Sequence, residues 1–597
     1  MRKKRLAKRM MALALAGALV LAPAGTTLAD GPGGTPPGGE SGGQGGTPPD
    51  GNGGGPGGGS SSSSVTYSGA NTINSAKTES DKTYASTTSD ESALLIDTSD
   101  AVTITNPTVT KTGDSDGGDN CNFYGQNATV LVKGGGTTTI TGGTITSSAE
   151  GANGVFSYGG NGAQNSTAGD GTTVNITDTK ITTTGGGSGG IMTTGGGVTN
   201  AKNLTVETSG RSSAPIRTDR GGGTVNVTGG SYTSNGLGSP VIYSTADISV
   251  SDATLVSNQS EGVCIEGKNS IKLTNCNMTV NNSKRNSNAK FYDTIMIYQS
   301  MSGDADSGTS EFSMTGGTLT SKNGHVFHVT NTNAVINLTG AKIVNEDSGN
   351  VLISVCDDGW SGGSNIATLN ASNQTLNGSI LVGENSILNL KLSGTSVLNG
   401  KVSGEISDGD GNSISTSVGT VNVTMSDSAI WVLSGDTTVS SLSGTGKINY
   451  NGHTLTVGST KYTSGSPADG ITETTETGEN VDNSTGTGNN SGSDSQNDNG
   501  SNTAQNLKSV SFKNVNKTIK YKTIKKKAVS YSVIKASDGG KVTYTVTKGK
   551  KKFIKVSSVG KVTVKKGAKK GTYKLKLTVD AKGNYKKTVQ TIKIKIK

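Results

Sequence analysis

One recurring pattern constrains the fold of this chain more than any other feature. Two apolar residues flank a polar one, a four-residue polar turn follows, and a further apolar residue stands five places after the second. Val174-Asn175-Ile176 leads through Thr177-Asp178-Thr179-Lys180 to Ile181. The same interval of five separates Val227 from Tyr232, Val250 from Leu255, Leu273 from Met278, Met314 from Leu319 and Leu338 from Ile343. With Ile176, Val227, Val250, Leu273, Met314 and Leu338 as markers, and Ala201 as a degenerate one, the steps are 25, 26, 23, 23, 41 and 24 residues. A third apolar stretch closes each unit, at Ile191, Ile216, Val241, Val263, Ile295, Val326 and Val351. Period-two alternation marks strands. Three short strands per 23–26 residues cannot bury an apolar face alone, so successive units must stack. That predicts a parallel β-helix of about twelve coils, roughly 55–60 Å long at a strand spacing near 4.8 Å. A propeller would need about 40–45 residues per blade, and a β-sandwich array fits the short period no better.

Composition agrees. Glycine occurs 90 times in 597 residues, apolar residues make up 30% and aromatic residues 4%. Long apolar runs and heptad periodicity are missing, which excludes polytopic membrane proteins, helical bundles and coiled coils. A thin stacked column leaves little room for rings, and its corners call for Gly and Asn at positive φ. The expected class is all-β: a right-handed parallel β-helix followed by a small β-sandwich.

The formal charge of +10 hides a segregation. Residues 507–597 hold 28 Lys and no Arg against Asp538 and Asp580, a net +26. Residues 1–30 carry +5, and the body between them −21. Residues 1–29 read as an export signal: Arg2 to Arg9, an apolar run from Met10 to about Ala22, then Thr27-Leu28-Ala29. The apolar run is shorter than the roughly 20 residues of a membrane span. Residues 30–64 are a Gly/Pro/Ser-rich linker without a Gly-X-Y period, and 463–506 a polar, acidic one. Between and after them lie the β-helix, 65–462, and a basic domain, 507–597. No second apolar run, wall-sorting signal or set of membrane strands is present, so a secreted, envelope-associated protein is expected.

Residues 65–462 resemble the right-handed parallel β-helix (pectin-lyase-like) superfamily, and within it the adhesin-like members of bacterial surfaces. The segment Ser428-Ala429-Ile430-Trp431-Val432-Leu433-Ser434-Gly435-Asp436, with Leu442 and Gly446-Lys447-Ile448, is similar to the closing coils of autotransporter-passenger-like adhesins. Strands such as Lys541–Val546, Lys561–Val564 and Thr572–Leu577, about seven in all, are similar to Lys-rich bacterial Ig-like modules of secreted Gram-positive proteins. Lys593, Lys595 and Lys597 would face outward, alternating with Ile592, Ile594 and Ile596. The resemblance implies a glycan- or surface-recognising rod. The β-helix class also hosts lyases, hydrolases and binders, so fold alone does not choose among them.

Catalytic motifs are sparse. The histidines are His325, His328 and His453, with no HExxH and no closed zinc set. There is no nucleophile elbow and no phosphate loop. Cys121, Cys264, Cys276 and Cys356 lie on different units; a Cys264–Cys276 bridge and unpaired buried thiols are the alternatives. Beyond the export signal the chain has four arginines, and Arg211, Arg217 and Arg220 fall within ten residues, with Asp219 among them. Arg217 and Asp219 share one side of a strand, and stacking would set Ile242/Ser244, Cys264/Glu266 and Met296/Tyr298 beside them. If outward, that side offers a groove of Arg217, Asp219, Glu266 and Tyr298. As surface ion pairs the same residues would have no ligand role. Lyases of the superfamily use an Arg or Lys base with acids holding Ca²⁺, which makes Arg217, Asp219 and Glu266 the catalytic candidates, although no lyase-like acid triad is recognisable. Glycan-binding candidates are Arg217, Arg220, Tyr292, Tyr298 and Trp360, the aromatic ones on long loops with carboxylates. Asp304, Asp306, Asp357 and Asp358 are Ca²⁺ candidates without EF-hand spacing; otherwise no cofactor is expected. Lys525, Lys526, Lys527, Lys550, Lys551 and Lys552 are candidates for holding an anionic wall polymer or acidic glycan. Export and the lack of Arg in this domain argue against nucleic acid. A polysaccharide lyase or glycosidase and a structural stalk are the alternative functions.

Overall fold

The computed structural model describes residues 65–115, 118–161, 168–286, 289–300, 302–360, 363–477, 512, 516–534, 542–557, 560–579 and 588–597. The expected export signal, the first linker and most of the second lie outside these. The chain divides into two compact units, at 485/486.

The first unit is a parallel β-helix. Its three long sheets have 14, 13 and 10 strands, and the last is continued by a five-stranded sheet from Thr375–Asn377 to Thr472–Glu473. The marker residues stack as strand partners in one line: Ile104, Ile140, Ile176, Ala201, Val227, Val250, Leu273, Met314, Leu338, Ala371, Leu392 and Met425. The degenerate Ala201 keeps its place, and the 41-residue step leaves Leu273 opposite Met314, because its extra length sits in corner loops. All of these side chains, Ala201 included, lie within an apolar column closed to solvent.

The turn after every marker but Met425 has a fixed chemistry. Its second residue is Asn106, Gly142, Asp178, Asn203, Gly229, Asp252, Asn275, Gly316, Gly340, Asn373 or Gly394, with φ between 49° and 68°. Only Gly, Asn and Asp enter this left-handed region cheaply, so aspartate joins the expected Gly and Asn. Outside the column, asparagines bond from coil to coil: Asn200 Nδ2 donates to Asn175 Oδ1 at 2.9 Å and Asn226 Nδ2 to Asn200 Oδ1 at 3.0 Å.

Stacking continues beyond 462. Ile471 is fully buried and Thr472–Glu473 pairs with Lys447–Ile448. In the closing coils Trp431 is buried and its Nε1 donates to the Gly400 carbonyl at 3.0 Å.

Among its described residues the second unit holds seven strands in two sheets. One runs Asn516–Ile519, Thr588–Ile596, Gly571–Val579, Val542–Lys548; the other Val529–Ser532, Lys561–Val564, Ile554–Val556. Leu575, Leu577, Ile592, Ile594, Val562 and Val564 share its core, and Lys593, Lys595 and Lys597 point to solvent. The helix Tyr521–Lys526 was not legible as one in the sequence. Among the described residues no helix is long and apolar enough to cross a membrane.

The corner geometry makes a sharp prediction. A Cβ at Gly142 meets nothing closer than the Asn106 Cα at 3.9 Å, whereas one at Gly143 lands on the Pro107 carbonyl oxygen of the coil below. Gly142→Ala should cost about 1 kcal/mol of left-handed strain, and Gly143→Ala at least twice that, read as shifts of the urea midpoint. Equal shifts would refute the stacked-corner account.

Candidate functional site

The third-sheet strands that frame the site are β1 (Ile216–Thr218), β2 (Ile242–Ser244), β3 (Val263–Glu266), β4 (Asp293–Tyr298), β5 (His325–Val329) and β6 (Val351–Val355). Strands of the first sheet alternate buried and exposed residues, but these are buried along nearly their whole length. One face lines the column; the other is roofed. The outward ladder reads Leu95, Leu131, Phe156, Met192, Arg217, Tyr243, Cys264, Met296, His328, Ser354 and Leu381. The roof includes the one-and-a-half-turn helix α1 (Asp119–Tyr124) and the loop 302–306.

Two expectations are corrected here. Tyr243, not Ile242, is the neighbour of Arg217; Ile242 pairs with Ile216 and joins the inner core. A one-residue slip along a three-residue strand exchanges the two faces. The expected groove faces outward but is not open: Arg217 and Asp219 are each 3% exposed and Glu266 2%. Arg217 Nη2 bonds Asp219 Oδ2 at 2.7 Å, and Nη1 reaches Asn122 Oδ1 of α1 at 3.3 Å and the Ser212 carbonyl at 3.1 Å. Arg220 lies 4.0 Å above the Phe123 ring and donates through Nε and Nη2 to Asp304 Oδ1, at 3.0 and 2.7 Å. Glu266 accepts from Tyr243 at 2.6 Å, from Tyr298 at 3.1 Å and from Ser300. Tyr298 packs at a tilt against Trp360, with centroids 5.3 Å apart. The surface ion-pair alternative fares no better, since the Arg217–Asp219 pair is internal.

The remaining candidates are dispersed. Asp304 is tied to Arg220, Asp306 is exposed, Asp357 caps its own turn through Gly359 N–H, and Asp358 serves His328 and Thr330. All four cysteines are buried, and neither Cys264 nor Cys276 is in a disulfide, so the Cys264–Cys276 bridge is not formed. Lys525, Lys526, Lys527, Lys550, Lys551 and Lys552 are exposed, and among the described residues none of them is in an ion pair.

An open cavity of about 520 Å³ lies at a corner of the third sheet. Phe291, Tyr292, Asn323, His325, Asp347 and Asp408 are among its lining residues. Its walls come from distant coils. The Gly409 amide bonds the Lys290 carbonyl at 2.8 Å, Arg285 pairs with Asp410, and the Arg285 guanidinium sits 5.6 Å from the Tyr292 ring centre. Of the aromatic candidates, Tyr292 alone lines this opening.

Behind the cavity is a cluster that sequence reasoning missed. Asp293 and His325 are partners across β4 and β5, and His328 follows on β5. Ser354 Oγ is 2.8 Å from Nδ1 of both imidazoles, and His328 Nε2 is 3.1 Å from Asp358 Oδ2. Phe291 packs on both rings, with centroids 4.9 Å away. Burial holds His325 down at about 3 and pushes Asp293 up to about 7. Burial opposes the charge on His328 as well, but Asp293 and Asp358 hold it above its ordinary value. His325 and His328 were visible in the sequence; their acid lies one coil earlier, in the long step, where only strand register reveals it.

Comparison of the chain with protein-family models, curated proteins and solved structures gave no match. Fold and register define it as an all-β protein built on a parallel β-helix.

Burial pushes the Asp219 carboxyl up to about 6, against the pull of Arg217. Between about pH 4 and 6 the folded chain keeps a proton that the unfolded chain has lost, so stability falls as pH rises through that window. Asp219→Asn should flatten this fall, measured by urea midpoints across that range. An undiminished slope would show that Asp219 is not buried as a charge.

Proposed function

We propose that this is an exported surface protein whose β-helix recognises a glycan through the corner cavity, and whose Lys-rich unit keeps it at an anionic envelope polymer. The observation that carries the reading is the cavity itself. An open, partly exposed Tyr292 ring beside Phe291, with Asn323, Asp347 and Asp408 around it, combines a stacking face with the amides and carboxylates that bond sugar hydroxyls. The loops that build it are insertions at coil corners, where a repeat scaffold accepts ligand-specific variation. A lyase or glycosidase at Arg217, Asp219 and Glu266 would have to work beneath α1 and the 302–306 loop, so these residues support the scaffold reading better. Retention rests on the 28 lysines and two acids of 507–597, where lysines project from strands, helix and turns with few local anions to neutralise them. The resemblance to adhesin-like β-helices and to Lys-rich Ig-like modules points the same way.

Two measurements test the two halves. On a glycan panel, the full chain should bind a defined set of sugars, and Tyr292→Ala should weaken that binding about tenfold, the scale of one lost stacking contact. The exposed first-sheet variant Thr224→Ala should leave it unchanged; equal loss in both variants would refute the cavity. For retention, the full chain should sediment with cell walls and elute as salt screens its charges. Replacing Lys525, Lys526 and Lys527 together by Glu should lower the salt needed for elution, whereas salt-independent sedimentation would refute an electrostatic anchor.

A further inference from the structure

We propose that Asp293, His325 and His328 form a binding site for a divalent transition-metal ion of the zinc class, placed in the wall between the cavity and the third sheet. One ligand atom from each residue lies within 4.8 Å of the others. Two imidazole nitrogens and one carboxylate oxygen are a donor set suited to zinc, with a remaining position for water or a ligand oxygen. The convergence is built on strands, since Asp293 and His325 are direct partners across β4 and β5.

A second, independent observation points to a cation. Asp293 is 4% exposed, and its Oδ1 is buried with no hydrogen-bond partner. A buried polar atom left unpaired has lost its hydration without compensation, and a charged one loses more. Among the described residues no other carboxylate oxygen is in this position. An ion between Asp293 and the imidazoles would remove that cost.

The surroundings match a metal centre. Asp358 Oδ2 lies 3.1 Å from His328 Nε2, the arrangement in which a carboxylate on the far nitrogen orients a ligating imidazole and leaves Nδ1 for the ion. The Ser354 hydroxyl that now faces Nδ1 of both rings is a rotor and can yield. Phe291 covers the rings and excludes water from one side, while His325, which lines the cavity, provides the way in. This inference does not depend on the cavity taking a glycan, because it concerns the chain's own residues and the ion alone.

The test is calorimetric titration of the chelator-treated full chain with Zn²⁺ and Co²⁺. One ion per chain should bind, and thermal stability should rise with it. Asp293→Asn, which keeps the side-chain shape, and His325→Ala, at the cavity wall, should each weaken binding at least about tenfold. Failure of Zn²⁺ and Co²⁺ to bind, or binding unaffected by both variants, would overturn the proposal. A readout on the unaltered protein guards against variants that do not fold. Bound Co²⁺ should shift the imidazole resonances of His325 and His328 and spare those of His453; a shift of His453 alone, or of none, would equally overturn it.

Discussion

Everything in the first unit depends on the in-register hydrogen-bond ladder between successive coils. A single coil has no core and unpaired strand edges on both sides; it becomes stable only when a neighbour supplies both the missing backbone partners and the other half of the apolar layer. The ladder therefore tolerates almost no change in the strands and considerable change in the corners. The 41-residue step is the clearest case: Leu273 and Met314 remain partners although the chain between them has nearly doubled. A chain held in this way can vary its corner loops without disturbing the column, and its functional surface is expected there.

The third sheet turns this freedom into a second buried layer. Its outward ladder begins apolar, from Leu95 to Met192, and becomes polar at Arg217 and again at His328 and Ser354. An apolar outer ladder gains from any cover that removes it from water. Polar rungs under a cover must instead be paired individually. Arg217 meets Asp219 and Asn122, Glu266 meets four hydroxyls, and Arg220 joins the roof on both sides by stacking on Phe123 and bonding Asp304. Breaking one member of such a network strands its partner, so the arginine cluster reads as the fastening of the roof.

The column was legible in the sequence because it is periodic: the five-residue interval picked out partners that stack as strand neighbours, down to the weak Ala201. The second unit's alternation of Ile and Lys was legible for the same reason. What was lost is what period cannot carry. Around the three-residue strand β2 the alternation is too short to fix the face, and Ile242 was assigned the position that Tyr243 holds. The roof depends on contacts between residues 84 apart, as for Arg220 and Asp304, or 125 apart, as for Arg285 and Asp410. No local pattern announces such pairs. The cavity and the Asp293–His325 pairing belong to the same category, because both arise only once coils have stacked.

The two clusters beneath the roof differ in one physical respect that separates scaffold from site. In the Arg217–Asp219–Glu266 region each carboxylate oxygen shown in contact meets a donor, and the charges are matched by partners of the chain itself. Around Asp293 the account does not close: the carboxylate and the imidazoles converge, a further acid stands behind His328, and one carboxylate oxygen has no donor although it is sealed from water. Native chains leave few buried polar atoms unpaired, and a charged one least of all. A fold that pairs Arg217 and Glu266 so thoroughly a few coils away has the means to supply Asp293 with a donor. That none is supplied, at a place that touches the open cavity, is the observation on which the proposed metal site on β4 and β5 rests.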